Sequence, residues 1–174
     1  VNAEENQQAV GTYTATDTES DTITYTISGT DFSLFSIVDS TGVLTFSSAP
    51  NFESPGCGSS SNTCTVIVTA TANSQSDTNT ITVTVTDVND NSPTDMALSA
   101  ASAAENAAAG TDIGTLSTTD GDASGNSHVY TLVTDSGGAT AYSGTAFAID
   151  SAVLEVGSSP SFDYETTTSY TVYV

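Results

Sequence analysis

Apolar residues and threonines alternate with a period of two along several short segments of the chain. The clearest are residues 22–27 and 80–86; residues 65–70 are similar, and residues 128–133 and 170–174 repeat the pattern in the second half. A period of two places successive side chains on opposite faces of a strand, so each segment is predicted to be a β-strand with one buried face. Gly, Asn, Asp and Ser residues separate the segments. Short strands with regular turn signals predict an all-β protein built from antiparallel Greek-key β-sandwiches.

One alanine-rich stretch, residues 97–109, has a helix-like composition. It also contains Ser99, Ser102 and Asn106, and the matching region of the first half has no helical pattern. Because alanine propensity is a weak signal that tertiary context overrides, the stretch is predicted to be an extended first strand of the second half.

The two halves of the sequence carry the same landmarks in the same order. Residues 3–6 (Ala-Glu-Glu-Asn) match residues 103–106 (Ala-Ala-Glu-Asn), at an offset of 100 residues. Three further pairs follow, which are residues 15–19 with 118–122, 35–39 with 147–150, and 51–53 with 163–165. A repeat of this length is a domain. We predict two tandem domains, at residues 1–92 and 93–174.

The charge balance is one-sided. The chain has 21 Asp and Glu residues, no Lys or Arg, and a formal net charge of -21. Nucleic acid and anionic membrane surfaces are excluded as partners, since both are bound through basic side chains. Without basic partners, the acids must be hydrated, capped by backbone amides or neutralised by hard divalent cations. Solubility explains most of them, but it does not explain why several are clustered.

Cys57 and Cys64 are separated by a Gly- and Ser-rich loop that is flexible enough to bring the two sulfurs together. The spacing favours a loop-closing disulfide, with a pair of free thiols as the alternative. A disulfide indicates an oxidising, extracytoplasmic location. No stretch of the sequence approaches the roughly 20 apolar residues of a membrane-spanning helix, so no membrane insertion is expected.

Five ordered motifs resemble those of cadherin repeats. The most specific is residues 87–93, Asp-Val-Asn-Asp-Asn-Ser-Pro, which matches a D-x-N-D-N-x-P linker at every defined position and lies between the two halves. The others are the early Glu-Asn pair, the acidic pair after the second strand, residues 35–44 (FSIVDSTGVL) and the Asp-Tyr-Glu at residues 163–165. An Asn-Asp-Asn run alone is typical of a turn. The whole set is similar to tandem cadherin repeats, which implies immunoglobulin-like sandwiches.

The resemblance also implies a calcium site at the linker. Calcium is bound by carboxylates, amide oxygens and backbone carbonyls in irregular geometry. The implied ligands are the carboxylates of Glu5, Glu53, Asp87, Asp90, Asp120 and Asp122, the side chain of Asn89, and the backbone carbonyls of Val88, Asn91 and Asn126. Without metal these carboxylates would repel one another. Calcium is thus the expected cofactor and would stiffen the linker, with an affinity on the order of 10⁻⁴ to 10⁻³ M.

Two further acidic groups resemble half-sites that neighbouring repeats would complete. They are Asp17, Glu19 and Asp21 towards a preceding repeat, and Glu105, Asp163 and Glu165 towards a following one. Asn51 stands where the family usually has Asp, so one ion of the middle linker is expected to bind weakly or not at all.

The repeats are expected to be incomplete at both ends. The first strand of repeat 1 would be short or missing, and the last strand of repeat 2, equivalent to residues 80–86, would lie beyond residue 174. Two explanations stay open. The sequence is a window from a longer array, or neighbouring copies supply strands across exposed sheet edges and build a fibre.

The expected function is a calcium-rigidified extracellular spacer or adhesion module, which mediates cell-surface adhesion or fibre formation. Its expected partners are neighbouring repeats of the same or another copy, with glycans or other surface proteins as further candidates. The lack of Lys, Arg and Trp excludes isopeptide crosslinks and tryptophan-anchored strand exchange. These features suggest a large microbial surface adhesin or extracellular filament.

Two rival functions follow from the same residues. A calcium-dependent carbohydrate-binding module is the alternative, since small calcium-bound sandwiches often bind sugars. An enzyme is not expected, because one His and no Lys, Arg or G-x-S-x-G motif leave neither a catalytic triad nor an oxyanion clamp easily assembled.

Overall fold

The computed structural model describes residues 1–160 and 162–174 and shows an all-β protein without α-helices in those residues. Two compact units make up the chain. Unit 1 comprises Val1–Asp90 and Asp122–Gly125, and unit 2 comprises Asn91–Gly121 and Asn126–Val174. Within the described residues, no helix is long and apolar enough to span a membrane.

Unit 1 contains seven strands in two sheets and a short 3₁₀ helix, Phe32–Leu34. The strands are β1 (Asn2–Glu4), β2 (Ala9–Thr12), β3 (Thr24–Ser28), β4 (Phe35–Ile37), β5 (Val43–Phe46), β6 (Thr63–Ala72) and β7 (Gln75–Thr86). One sheet has the order β1-β7-β6-β3 and the other β2-β5-β4. The three strands predicted from residues 22–27, 65–70 and 80–86 are therefore confirmed as β3, β6 and β7.

The core of unit 1 lies between these two sheets. On β6 and β7 the buried residues alternate with more exposed residues, most of them threonines. The antiparallel register places the buried residues of the two strands side by side, Val66 with Ile81 and Cys64 with Val83. The opposite sheet contributes Phe35, Leu44 and Phe46. Alternation along the sequence thus corresponds to one face of a strand buried against another sheet.

The disulfide predicted between Cys57 and Cys64 is present, with the two Cα atoms 4.9 Å apart. Both residues are buried in the core of unit 1. The bond closes the loop that leads into β6.

The described residues of unit 2 form four strands in one sheet of order β10-β11-β9-β8. They are β8 (Thr94–Leu98), β9 (Asp112–Thr119), β10 (Phe147–Asp150) and β11 (Val153–Val156). The alanine-rich stretch is extended only at its start, in β8, and residues 99–109 are irregular. The prediction of a strand is therefore confirmed only for residues 97–98, which lie in β8, and is wrong for residues 99–109.

Two strands predicted for unit 2 do not form as regular strands. Residues 128–133 and 170–174 meet at one bridge, where the Val133 N–H donates to the Tyr173 carbonyl at 2.9 Å. The alternation of apolar and polar residues determines which face of a strand is buried. A regular strand also needs a neighbouring strand with which it forms a ladder of backbone hydrogen bonds. In unit 1 that ladder comes from β7, which pairs with every residue of β6. The described residues of unit 2 contain no counterpart of β7.

An open groove of about 530 Å³ lies over the core of unit 2, lined by residues that include Leu98, Ile113, Phe147, Leu154 and Val172. By repeat position, Phe147 and Leu154 correspond to Phe35 and Leu44, which share a core with Val83 and Val85 of β7 in unit 1. The packed core of unit 2 is smaller than that of unit 1 because the described residues of unit 2 contain no counterpart of β7.

Candidate metal centre

Carboxylates from distant parts of the sequence converge in unit 1. One cluster consists of Glu5, Glu53 and Asp87, and a second of Glu53, Asp90 and Asp122. Within each cluster the nearest carboxylate oxygens lie within 4.8 Å of one another. Glu53 belongs to both clusters, so the five carboxylates form one continuous acidic site.

Glu5 is the most enclosed of the five, with 2% of its surface exposed. It follows directly on β1, whose pairing with β7 places Glu4 opposite Thr86 and so sets Glu5 beside Asp87. Its Oε2 accepts a hydrogen bond from the Phe52 N–H at 2.8 Å, and its Oε1 accepts one from the Val88 N–H at 2.9 Å. These backbone donors compensate for the burial of the charge.

Glu53 lies in a bent loop, and both of its carboxylate oxygens are shielded from solvent. The loop is closed by a hydrogen bond from the Ser54 N–H to the Asn51 Oδ1, at 2.6 Å. Asn51, where the resemblance implied a missing acid, thus shapes the loop that carries Glu53. Hydrogen bonds of this kind, from a backbone N–H to a nearby asparagine side chain, hold a turn locally.

Asp87 and Asp90 are held by a short segment from later in the sequence, residues 122–125, which is part of unit 1. Asp87 accepts hydrogen bonds from the N–H groups of Ala123 (3.2 Å) and Ser124 (2.8 Å) and from the Ser124 hydroxyl. The Asp90 N–H donates to the Asp122 Oδ1 at 3.3 Å. Asp122 itself is buried, with 4% of its surface exposed.

The pKa of Asp87 is lowered below its ordinary value of 3.8. The hydrogen bond from the Ser124 side chain is the largest cause, and backbone hydrogen bonds from Ala123 and Ser124 add to it, while desolvation and the charge of Asp122 act in the opposite direction. Hydrogen bonds to the ionised form favour that form. Asp87 is therefore kept as a carboxylate, the form that binds a cation.

Ser124→Ala is expected to raise the pKa of Asp87 towards 3.8, because the largest cause of its lowering is removed. A lowered folded-state pKa stabilises the folded protein at pH above the unfolded value, and this contribution is lost as the pH falls through the folded-state pKa. In the variant the contribution should be smaller and should disappear at a higher pH. Carboxyl ¹³C NMR titration of metal-free protein checks this, and an unchanged Asp87 curve would contradict it.

The other predicted linker ligands are divided between the two units. Val88 and Asn89 belong to unit 1, where the Asn89 side chain lies beside Ser124 and Gly125. Gly125 has a φ of +78°, and a Cβ there would lie 3.2 Å from the Asn89 Nδ2, so the close approach depends on glycine. Asn91, Asp120 and Asn126 belong to unit 2, and their part in the site stays a prediction.

Of the two predicted outer half-sites, one forms a compact cluster. Glu105, Asp163 and Glu165 of unit 2 bring their carboxylates within 4.8 Å. The pKa of Asp163 is lowered, chiefly by a hydrogen bond from the Thr166 hydroxyl.

The other predicted half-site, at residues 17–21, has a different arrangement. The Asp17 Oδ1 accepts hydrogen bonds from the N–H groups of Glu19 and Asp21. In the part of the chain that the structure describes, Asp17, Glu19 and Asp21 do not form a cluster of three carboxylates. Their role as ligands stays a prediction.

Sequence reasoning missed two polar residues that hold the site. Asn6 donates from its Nδ2 to the Asp90 Oδ2 at 2.6 Å, from a backbone with φ of 61°. Ser124 holds Asp87 as described above. Asn6 belongs to the early Glu-Asn pair, so the sequence motif could have indicated its role. Ser124 is one small polar residue in a Gly- and Ser-rich stretch, and no sequence motif indicates its role.

Neither a family model nor a curated protein matches the sequence, but solved structures are similar to it. Human protocadherin-24 EC1-2 has a TM-score of 0.69 at 21% identity, covering 96% of this chain and 76% of that one. Drosophila N-cadherin EC1-4 has a TM-score of 0.60 at 24% identity, covering 93% of this chain and 39% of that one.

A third similar structure, protocadherin gammaB7 EC3-6, is described as a cis-dimer. It has a TM-score of 0.59 at 21% identity and covers 96% of this chain and 38% of that one. At these identities the similarity defines the fold. The chain has a cadherin-like β-sandwich fold, as the motifs predicted.

Proposed function

We propose that this chain is a calcium-binding, adhesion-type extracellular module in which the bound ions restrain the connection between two sandwich repeats. The observation that carries the proposal is the convergence of five carboxylates, drawn from four separate segments of a chain without Lys or Arg. Such a site lacks basic side chains that could neutralise it. A cation is the remaining source of compensating charge.

The donor set fits a hard divalent cation. The clustered side chains offer oxygen atoms, and hydrogen bonds from backbone amides and from Asn6 hold Glu5, Asp87 and Asp90 in place. Calcium accepts irregular arrangements of carboxylates and carbonyls. Glu5, Glu53, Asp87, Asp90 and Asp122 would hold the ions, with Asn89 and the Val88 carbonyl as further candidate ligands.

The path of the chain supports a restraining role. Residues 122–125 belong to unit 1, whereas the residues on either side of them belong to unit 2. The chain therefore crosses from one unit to the other at three points, after Asp90, before Asp122 and after Gly125. An ion held by Asp87, Asp90 and Asp122 would fix the chain next to two of these crossings and reduce the freedom of the connection.

The proposed location and partners follow from this role. A buried disulfide is stable in an oxidising, extracellular environment. The proposed partners are neighbouring repeats of the same or another copy, in agreement with the cis-dimer described for protocadherin gammaB7. A large microbial adhesin or filament remains our proposal for the parent protein, and we propose no catalytic role.

Calorimetric titration with Ca²⁺, paired with small-angle scattering in Ca²⁺ and in chelator, tests the function. We expect binding with a Kd on the order of 10⁻⁴ to 10⁻³ M. In chelator, the scattering should indicate a broader distribution of dimensions. Absence of calcium binding would overturn the proposal, and binding with unchanged scattering would overturn the restraining role alone.

A further inference from the structure

Asn62 joins two segments that each deliver a carboxylate to the acidic site. Its side-chain Nδ2 donates to the Phe52 carbonyl at 2.9 Å, and its backbone carbonyl accepts a hydrogen bond from the Val85 N–H at 2.8 Å. Phe52 immediately precedes Glu53, and Val85 lies two residues before Asp87. Asn62 itself is half-buried and has no carboxylate, and the resemblance to cadherin repeats assigned it no role.

The hydrogen bond to Phe52 orients the peptide that carries Glu53. The Phe52 carbonyl belongs to the planar peptide group that also contains the Glu53 nitrogen. On its other side, the Phe52 N–H is held by the Glu5 Oε2 at 2.8 Å. Phe52 is thus fixed from both sides, once by a member of the acidic site and once by Asn62, and Glu53 continues from this fixed peptide.

The disulfide loop in turn holds Asn62. Cys57 and Ser61 exchange two backbone hydrogen bonds, of 3.2 and 2.9 Å, and the Ser61 hydroxyl accepts one from the Thr63 N–H at 3.0 Å. The loop is closed by the bond between Cys57 and Cys64, and Cys64 is fully buried. Asn62 therefore lies in a short covalent ring whose ends are anchored in the core.

We propose that Asn62 is a positioning residue for the calcium site and that the Cys57–Cys64 disulfide acts on calcium affinity by holding Asn62 in place. The inference rests on the proposed calcium-binding function and deepens it. Partners of metal ligands orient those ligands, and their loss reduces metal affinity even when every ligand is present. Asn62 would act through Glu53, which belongs to both carboxylate clusters.

Asn62→Ala tests the positioning role by calcium titration. Its Kd for Ca²⁺ should rise about tenfold, the lower end of the range for loss of a residue that supports a ligand, because Asn62 bonds the peptide before Glu53 and not the Glu53 carboxylate. The matched control is Gln8→Ala, which removes another amide-to-carbonyl hydrogen bond of 2.9 Å in unit 1, to Ser47. The control should bind Ca²⁺ within about twofold of the unmodified chain, because the Gln8 side chain hydrogen-bonds to Ser47 and not to a residue next to a carboxylate of the site.

Two readouts separate positioning from a general loss of stability. In chelator, both variants should remain folded at the titration temperature by thermal melting, with the larger fall for Asn62→Ala because its hydrogen bond is part-buried and that of Gln8 is exposed. ¹⁵N relaxation should show a more mobile Glu53 amide in Asn62→Ala alone. Asn62→Gln, which moves the donor by one methylene, is the milder second variant. Its affinity loss should also exceed that of Gln8→Ala.

The double variant Cys57→Ala/Cys64→Ala tests the contribution of the disulfide. It should also weaken Ca²⁺ binding, and adding Asn62→Ala should cause little further loss, because both changes act through one contact. Multiplicative losses would overturn the link between disulfide and Asn62. Unchanged affinity in both Asn62 variants would overturn the positioning role, while failure of the unmodified chain to bind Ca²⁺ would overturn the proposed function and this inference together.

Discussion

Glu53→Gln is expected to weaken calcium binding by about 100-fold, equivalent to about 2.7 kcal/mol. Glu53 is the one carboxylate shared by both clusters, so the substitution removes one charged ligand from each. Calcium affinity depends strongly on the number of charged ligands. Glutamine keeps the size of the side chain, so the surrounding loop should be preserved.

The same substitution should change stability in opposite directions with and without calcium. In chelator the variant should melt at the same temperature as the unmodified chain or higher, because one of five mutually repelling charges has been removed. In millimolar Ca²⁺ it should melt lower, since ligand binding stabilises the folded state by RT ln(1 + [L]/Kd). Calorimetric titration and thermal melts in both buffers measure the two effects.

Asp39→Asn is the matched control for this experiment. It changes the net charge by the same amount, and Asp39 is an exposed residue outside the clusters. Its calcium affinity should stay within about twofold, as expected for an exposed charge screened by water and salt. Equal affinity losses in both variants would mean that total charge, and not the carboxylate clusters, controls binding.

The strands of unit 1 could be predicted from the sequence, whereas part of unit 2 could not. Val83 alternates with threonines and Val66 lies in a similar segment, and each has a partner strand that completes its hydrogen bonds. Val129 and Val133 lie in a similar pattern, but Val129 is 87% exposed and Val133 meets its neighbours at isolated bridges. Periodicity specifies which side chains face inward, while a regular strand also requires a paired neighbour.

The acidic site also has a part that could be predicted from the sequence and a part that could not. Asp87 and Asp90 lie in a compact motif, so their chemistry could be read from the sequence. Asn62 and Ser124 lie in loops rich in small polar residues, where neither spacing nor residue type marks one as special. Their roles depend on the folded path that brings them to Phe52 and Asp87.

Leu44→Ala is expected to destabilise unit 1 by about 3 kcal/mol, within the range for a buried leucine truncated to alanine. Leu44 is fully buried on β5, in a core that includes Phe35, Val66 and Val83. For a unit of this size the loss corresponds to a melting temperature lower by roughly 15 °C. Differential scanning calorimetry in chelator measures it without the stabilising effect of a bound ion.

The effect should be confined to unit 1, because its buried core and that of unit 2 share no residues. Leu154, which corresponds to Leu44 in the second repeat, belongs to the core of unit 2. Leu154→Ala should therefore lower the other transition, and Val129→Ala, at an 87% exposed position, should change neither by more than about 0.5 kcal/mol. If Leu44→Ala lowered both transitions equally, the two units would not be independent folding units. Calcium could then not act by restraining the connection between two independently folded bodies.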